Sequence, residues 1–280
     1  MIWKCRDFSF ELNRTLVMGI VNVTPDSFSD GGKYFRPEEA VRRVRNCLSE
    51  GADIIDLGGE STRPGATPLP WQDEWARLEP VLDALRADPL PPLSIDTYHP
   101  ETAERALAKG AAIINCVYPE PMAAMARLAR QTGAGVIVPY RLTDGEKASD
   151  AFAKFKVQYG FAGLEGQLMI DPMVGFGTTR EEDMALMGSV RRLAALAPVL
   201  MGVSRKRLIK KLVGAKSDGV GKNLGGCLGA AVWCAMAGAA VVRVHDVRET
   251  VQALKVVDAL AHIATGTPPA DASASGEVCT

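Results

Sequence analysis

The sequence predicts an α/β protein with a (β/α)8 TIM-barrel fold. A length of 280 residues suits a single barrel of this kind. Eight short apolar runs rich in β-branched residues are spaced along the chain, and segments with helical periodicity alternate with them. The same alternation also allows an open, doubly wound sheet, which is the main alternative.

The eight runs are candidates for strands of a parallel sheet. They are continuously apolar, as expected of strands that are covered on both faces. The runs are residues 15–21, 53–58, 92–96, 112–116, 135–140, 167–171, 198–204 and 241–246.

Helical patterns fill the intervals between the runs. The first opens with Pro37, Glu38 and Glu39, a favourable first helical turn, and stops at Gly51. The predicted helices are residues 37–51, 71–87, 100–109, 121–132, 147–160, 181–196, 222–238 and 247–264.

The two ends of the chain differ from this pattern. Residues 2–13 alternate apolar and polar side chains, which predicts a β-hairpin that covers the bottom of the barrel. Residues 266–280 are rich in Ala, Ser, Pro and Gly and lack large apolar groups, so we expect a disordered tail. The prediction is a single domain over residues 1–265.

Composition excludes several classes of protein. Hydrophobic residues make up 47%, charged residues 23%, and the formal net charge is -1, so nothing favours a nucleic-acid or membrane partner. The N-terminus is too polar for a signal peptide, and the apolar stretch 230–244 is too short and interrupted to span a bilayer. The six cysteines show neither C-x-x-C pairs nor zinc spacing, which predicts core thiols without disulfides or structural zinc. We therefore expect a cytoplasmic protein.

Polar residues end most of the predicted strands, where a barrel of this type places its active site. Buried polar groups cost free energy unless they are paired, so a purely structural barrel has no need of them. The residues are Asn22, Asp56, Asp96, Asn115, Asp171, Ser204, Arg205, Lys206, Arg243 and His245. Of these, Asp56 is interpreted as an acceptor for loop N–H groups.

These residues divide into two chemical groups. Asp96, Asn115 and Asp171 offer acceptors suited to the N–H donors of an aminopyrimidinone ring, and Lys206 can donate to a ring nitrogen or carbonyl. The second group suits an oxyanion, with arginine pairing bidentately with phosphate. Its members are Asn22, Arg63, Arg243 and His245. A ligand with a donor-rich ring at one end and a phosphate at the other fits both groups.

Seven segments carry a resemblance to a known family. The two longest are MGIVNVTPDSFSDGG (18–32) and GADIIDLGGESTRPGA (51–66). The others, in the expected order, are LSIDT (93–97), GAAIIN (110–115), DPMVGFG (171–177), GVSRKR (202–207) and VRVHDV (242–247). Over about residues 15–260 the chain resembles the dihydropteroate synthases, which join a pterin diphosphate to p-aminobenzoate on the folate pathway.

The resemblance implies roles for individual residues. Asp96, Asn115, Asp171 and Lys206 would hold the pterin. Asn22, Thr62, Arg63, Arg243 and His245 would bind the diphosphate, with Asn22 near a Mg²⁺ ion. Phe28, Pro64, Ser204 and Lys206 would line the p-aminobenzoate slot. The main catalytic candidates are Lys206, Arg63, Asp96 and Asp171, and the family relationship also implies a homodimer formed through late helices.

The chain departs from the family pattern around the pterin pocket. Cys116 follows Asn115 where the family often has Asp, and Val138-Pro139-Tyr140 replaces a Met-His-Met type sequence. Met173 replaces a usual glycine, and Thr178 stands where lysine is common. Two alternatives therefore stay open, a pterin-binding paralogue without turnover and a corrinoid-linked pterin methyltransferase domain. The second has no need of the phosphate-binding residues.

Overall fold

The computed structural model describes residues 1–24, 37–60, 67–86, 91–143, 145–214 and 223–265. Its strands are β1 (Ile2–Cys5), β2 (Phe8–Glu11), β3 (Leu16–Asn22), β4 (Ile54–Gly58), β5 (Leu93–Asp96), β6 (Ile113–Asn115), β7 (Gly135–Pro139), β8 (Leu168–Asp171), β9 (Leu200–Met201) and β10 (Val241–Val244). Each of the eight apolar runs overlaps one of the strands from β3 to β10, and only β3 extends beyond its run, by one residue, so the predicted strand positions are confirmed.

The main sheet is a nearly closed parallel barrel. Eight strands follow the order β8-β7-β6-β5-β4-β3-β10-β9, and every neighbouring pair is parallel. The two end strands also meet, because Ile170 forms a parallel bridge with Val199 and its N–H donates to the Pro198 carbonyl at 2.9 Å. An open doubly wound sheet would leave these edges apart, so the predicted (β/α)8 barrel is confirmed.

Helices surround the barrel. They are α1 (Pro37–Ser49), α2 (Trp71–Leu85), α3 (Pro100–Ala108), α4 (Met122–Thr132), α5 (Ala148–Tyr159), α6 (Arg180–Gly188), α7 (Val190–Ala194), α8 (Arg207–Leu212), α9 (Leu224–Met236) and α10 (Val247–Thr265). Helix α2 packs an apolar stripe on the sheet, formed by Trp75, Leu78, Val81, Leu82 and Leu85. Burial of one such side chain contributes roughly 1.5–3 kcal/mol.

The structure corrects two helix predictions. Residues 181–196 were expected to form one helix, but the chain breaks at Ser189, whose hydroxyl donates to the Leu186 carbonyl at 2.7 Å. This local hydrogen bond competes with helix continuation. Helix α8 was not predicted, because six residues are too few to display a helical period.

The predicted N-terminal hairpin is present and closes the bottom of the barrel. Strands β1 and β2 pair in antiparallel register, with Trp3 opposite Phe10. Trp3 and Cys5 are fully buried against side chains from the N-terminal ends of the barrel strands, including Leu16 and Ile54. The indole N–H of Trp3 also donates to the Gln167 carbonyl at 2.8 Å.

The described cysteines lie in the core of the protein. Five cysteines are buried free thiols, as predicted for core residues: Cys5, Cys47, Cys116, Cys227 and Cys234. Within the described ranges, no helix has the length and apolar character needed to cross a bilayer. Cys279 and the tail predicted to be disordered lie outside the described residues.

Candidate active site

Strand register aligns the predicted polar residues at one end of the barrel. Asn22 pairs with Gly58, Gly58 with Asp96, and Asp96 with Asn115 across β3, β4, β5 and β6. Each of these residues is the last of its strand. Because parallel strands end at the same face of the barrel, the side chains from distant parts of the sequence meet there.

An arginine links two carboxylates at the centre of this face. Arg243 Nε donates to Asp56 Oδ2 at 2.6 Å, and Arg243 Nη2 donates to Asp96 Oδ2 at 2.6 Å. Asn115 Nδ2 donates to the same Asp56 oxygen at 3.2 Å. Asp56 is fully buried and accepts from side chains, so the expectation that it accepts loop N–H groups is wrong. The cause is the position of Asp56 inside the strand, away from the loop amides.

Several buried acceptors of this network have no hydrogen-bond partner among the described residues. They are Asp56 Oδ1, Asp96 Oδ1 and Asn115 Oδ1. A buried acceptor without a partner costs free energy, about 1–3 kcal/mol for each group. N–H donors of a bound heterocycle would satisfy such acceptors, as the chemistry of the residue types predicts.

Burial dominates the electrostatics of Asp96. Removal from water raises the pKa of Asp96 to about 7, even though the charge of Arg243 acts in the opposite direction. The negative charges of Asp56, Glu74 and Asp171 raise it further. Burial alone would lower the pKa of Arg243, but Asp56 and Asp96 outweigh that effect and raise it, so the guanidinium stays charged.

Asp171 and Lys206 form the second part of the site. Burial raises the pKa of Asp171 and lowers that of Lys206, while each charge favours the ionised form of the other. Lys206 Nζ lies 4.3 Å from the ring centroid of Phe176, a cation–π distance. Phe176 carries no polar group and was not singled out from the sequence.

Ser204 and His245 contact one another beside the barrel mouth. The backbone N–H of His245 donates to Ser204 Oγ at 3.2 Å, and His245 Nδ1 lies at the same distance from that oxygen. Arg43 Nη2 donates to the His245 carbonyl at 2.6 Å. A polar cavity of about 320 Å³ adjoins His245 and is also lined by Arg43 and Arg205. Glu50, Asp246 and Glu249 also line this cavity, and Arg43 and Arg205 form ion pairs with Glu50 and Asp246, so the cavity is not a cationic site for an anion.

The structure brings together most of the predicted site residues. Asp96, Asp171, Lys206 and Arg243 lie close enough for their charges to shift one another's pKa. Asn22 flanks Asp96, because a Cβ built on Gly58 between them would lie 3.9 Å from Asn22 Oδ1 and 3.8 Å from Asp96 Oδ2. The predictions for Phe28, Thr62, Arg63 and Pro64 lie outside the described residues.

Comparison with known proteins identifies the family. Residues 18–245 match the family described as pterin binding enzyme. A dihydropteroate synthase of Mycobacterium leprae is 40% identical over 268 residues, covering 88% of this chain and 93% of the relative. The enzyme of Escherichia coli K12 is 36% identical over 268 residues, covering 90% and 93%.

Solved structures agree with the sequence relatives. A Xanthomonas albilineans dihydropteroate synthase with 4-aminobenzoic acid superposes with a TM-score of 0.80 at 39% identity, covering 94% of this chain and 99% of that one. The same enzyme in complex with 7,8-dihydropteroate gives a TM-score of 0.74 at 37% identity, covering 90% and 96%. The chain belongs to the dihydropteroate synthase family.

Membership of the dihydropteroate synthases agrees with the resemblance in the sequence motifs. In this member of the dihydropteroate synthase family, Asp56 was placed at a strand end but given only a loop-binding role, and Phe176 was not predicted; the structure places them against Arg243 and Lys206. The sequence does contain an indication for Asp56, because a carboxylate inside a buried apolar strand lies away from the loop amides that it could otherwise bind. Phe176 gave no such signal.

Proposed function

We propose that this protein is a dihydropteroate synthase, which joins 6-hydroxymethyl-7,8-dihydropterin diphosphate to p-aminobenzoate and releases 7,8-dihydropteroate and diphosphate. The observation that carries the proposal is the convergence of Asp96, Asn115, Asp171, Lys206 and Arg243 at one mouth of the barrel, with unpartnered buried acceptors on Asp96 and Asn115. Relatives that share the fold bear this name and include complexes with 4-aminobenzoic acid and 7,8-dihydropteroate.

In the proposed reaction the C–O bond between the pterin methylene and the diphosphate breaks, and a C–N bond to the aniline nitrogen forms. The displaced diphosphate carries away the electron pair of the broken C–O bond, and the aniline nitrogen loses one proton to water. Asp96, Asn115 and Asp171 hold the ring N–H groups, while Lys206 donates to the ring. Holding the two reactants in line supplies much of the rate acceleration, and no covalent intermediate with the protein is needed.

The cationic side of the site receives the leaving group. We assign His245 and Arg243 to the diphosphate, together with Thr62 and Arg63. The ion pairs of Arg243 use Nε and Nη2, and Nη1 is the guanidinium nitrogen that these two contacts do not use. Fixed donors aimed at the developing charge stabilise the transition state more than the ground state. Phe28, Pro64 and Ser204 are assigned to the p-aminobenzoate slot.

A Mg²⁺ ion fits this site as a companion of the diphosphate. In the described part of the chain, no three His, Cys, Asp or Glu residues are grouped as a metal site. Mg²⁺ is commonly held by one or two protein oxygens plus phosphates and water, and Asn22 Oδ1 offers such an oxygen beside Asp96. Bound Mg²⁺ would neutralise charge on the leaving diphosphate.

The deciding experiment is a turnover assay with purified protein. Pterin diphosphate, p-aminobenzoate and Mg²⁺ should yield dihydropteroate, detected by mass spectrometry, and omission of any one should abolish or sharply reduce it. The Lys206→Ala variant should remain folded and lose activity. Pterin binding without product under these conditions would instead establish the non-catalytic paralogue.

We further propose that the protein is a homodimer formed through its late helices. Large apolar side chains are exposed on α9 and α10, namely Trp233, Met236, Val256 and Leu260, with exposures of 57–66%. Leu212 and Val213 extend the same kind of surface at the end of α8. Exposed apolar patches of this type mark contacts between proteins.

We also propose a cytoplasmic location, since the five described cysteines are free thiols suited to a reducing compartment.

A further inference from the structure

The segment after β8 has an unusual backbone that needs external support. Residues 172–179 connect Asp171 to α6, and three of them have positive φ: Met173 at 64°, Gly175 at 80° and Gly177 at 66°. Glycine adopts this region freely, whereas a methionine there costs roughly 1–2 kcal/mol. Such a conformation persists only where neighbouring groups hold it.

Arg141 holds this segment from the loop between β7 and α5. Its Nε donates to the Pro172 carbonyl at 3.0 Å, and its Nη2 donates to the carbonyls of Met173 at 3.0 Å and Phe176 at 3.2 Å. A charged guanidinium that donates to three carbonyls in one turn is a rigid clamp, because its donors lie in a fixed plane.

A buried carboxylate holds the other side of the segment. Asp183 Oδ1 accepts from Gly175 N–H at 2.6 Å and from Thr178 Oγ1 at 2.5 Å. The Met173 N–H donates to Asp171 Oδ1 at 2.7 Å. The backbone of residues 173–175 therefore connects the Arg141 clamp directly to a carboxylate of the site.

The clamped segment also determines where Lys206 lies. The Phe176 ring is 4.3 Å from Lys206 Nζ. A Cβ built on Gly175 would lie 3.1 Å from Lys206 Cδ, so the lysine stem packs closely on this glycine. Movement of residues 172–176 would shift Asp171, Phe176 and Lys206 together.

We propose that Arg141 is a positioning residue: through its three carbonyl contacts it holds residues 172–176 in the conformation that places Asp171 and Lys206 for the pterin. Arg141 itself does not belong to the groups that contact the substrate. The proposal concerns the same site as the proposed function and rests on it, but the clamp can be measured without turnover. Arg141 directly follows Pro139 and Tyr140, where the sequence departs from the family pattern.

The matched control is Arg130, at the opposite end of the barrel. Its Nη2 donates to the carbonyls of Gly160 and Ala162, both at 2.9 Å, so it also clamps a loop. Arg141→Ala and Arg130→Ala should lower the melting temperature to a similar extent. Only Arg141→Ala should lower kcat/KM for the pterin diphosphate, by about 10- to 100-fold, because small displacements of reacting groups have effects of this size.

Two readouts separate positioning from a general loss of structure. Guanidinium ion at tens of millimolar should restore part of the activity of Arg141→Ala and should leave the activity of Arg130→Ala unchanged. Arg141→Lys keeps the charge but lacks the planar set of donors. Its decrease in log(kcat/KM) should therefore be at least half of the decrease measured for Arg141→Ala. Equal losses of kcat/KM in Arg141→Ala and Arg130→Ala, or a fully active Arg141→Lys, would overturn the proposal.

A third readout requires no activity. The rate of amine labelling at Lys206, followed by mass spectrometry against pH without substrates, reports its burial and ionisation. Burial lowers the pKa of Lys206. Release of the segment in Arg141→Ala should therefore raise the apparent pKa towards the ordinary lysine value and increase the limiting rate. Identical labelling curves for wild type and Arg141→Ala would reject the clamp, whereas absent turnover in wild type would reject only the proposed function.

Discussion

The shared arginine is the feature at the residue scale that controls the candidate site. Arg243 reaches two buried carboxylates that would otherwise repel one another, Asp56 and Asp96. Removal of one partner from such a buried group leaves an uncompensated charge, which is strongly destabilising. The network is therefore a structural support for the barrel mouth and, at the same time, adjusts the proton affinity of Asp96, which burial dominates.

Pterin affinity should depend on the ionisation of Asp96. Burial raises the pKa of Asp96 to about 7, and the ionised form is the one that accepts from ring N–H groups. Affinity for 6-hydroxymethylpterin should thus fall as the pH drops through about 7, by up to about tenfold per unit. Calorimetry between pH 5.5 and 7.5 measures this dependence. Asp96→Asn should bind weakly at every pH, and a flat profile for the wild type would contradict the assignment.

Substitution of Asp56 by asparagine should shift that profile. The charge of Asp56 raises the pKa of Asp96, so its removal should lower the pKa and move the acid limit of pterin binding to lower pH. The same change should reduce the free energy of unfolding by about 1–3 kcal/mol, because a charge-assisted hydrogen bond is weakened. Denaturant titration and the calorimetric profile test both effects. An acid limit that stays in place or rises would show that Asp56 acts elsewhere.

The N-terminal hairpin depends on the rest of the barrel for its stability. Its alternating sequence predicts two strands, but its stability comes from the barrel bottom, where Trp3 and Cys5 fit against Gly135 of β7. An isolated hairpin of this length is marginal in water. Backbone contacts from Lys4 N–H to the Gly166 carbonyl and from Arg6 N–H to the Gly133 carbonyl, each 2.7 Å, complete the docking.

Gly135→Ala should destabilise this docking. A Cβ at this position would collide with Cys5 Sγ and lie 3.1 Å from Trp3 Cζ2, and overpacking of this kind costs about 1–3 kcal/mol. Gly166→Ala is the control, since its nearest neighbour would be Lys4 Cδ at 4.0 Å. Thermal unfolding should show the loss in Gly135→Ala alone, and added Cys5→Ala should restore part of it. Equal stability of the two alanine variants would argue against close packing here.

The barrel as a whole brings together residues that local patterns cannot relate. Closure between β8 and β9 places the end of every strand on one face, so the polar residues converge. The exposed side chains of α9 and α10 lie on the outer surface instead. Pairing of two copies over this surface would cover it, which is the physical basis of the proposed dimer.

The dimer proposal is tested by a charge on that surface. Trp233→Glu should convert the protein to a monomer in analytical ultracentrifugation, because a buried unpaired carboxylate opposes association. Val157→Glu on α5 is the control, since Val157 is also exposed, at 73%, but lies on a different helix. A Trp233→Glu variant that remains a dimer would show that the interface lies elsewhere. A monomeric wild-type protein would refute the dimer proposal.

Local sequence patterns predict the positions of the eight barrel strands, the hairpin and the set of polar residues at the strand ends. These follow from short-range periodicity and from residue chemistry, both of which are local. Which of those residues contact one another depends on the folded barrel. Arg243 is separated from Asp56 by 187 positions and from Asp96 by 147, and Arg141 is separated from the Met173 carbonyl by 32. Contacts over such distances in sequence form because the barrel closes and buries these side chains, and no local pattern in the chain encodes them.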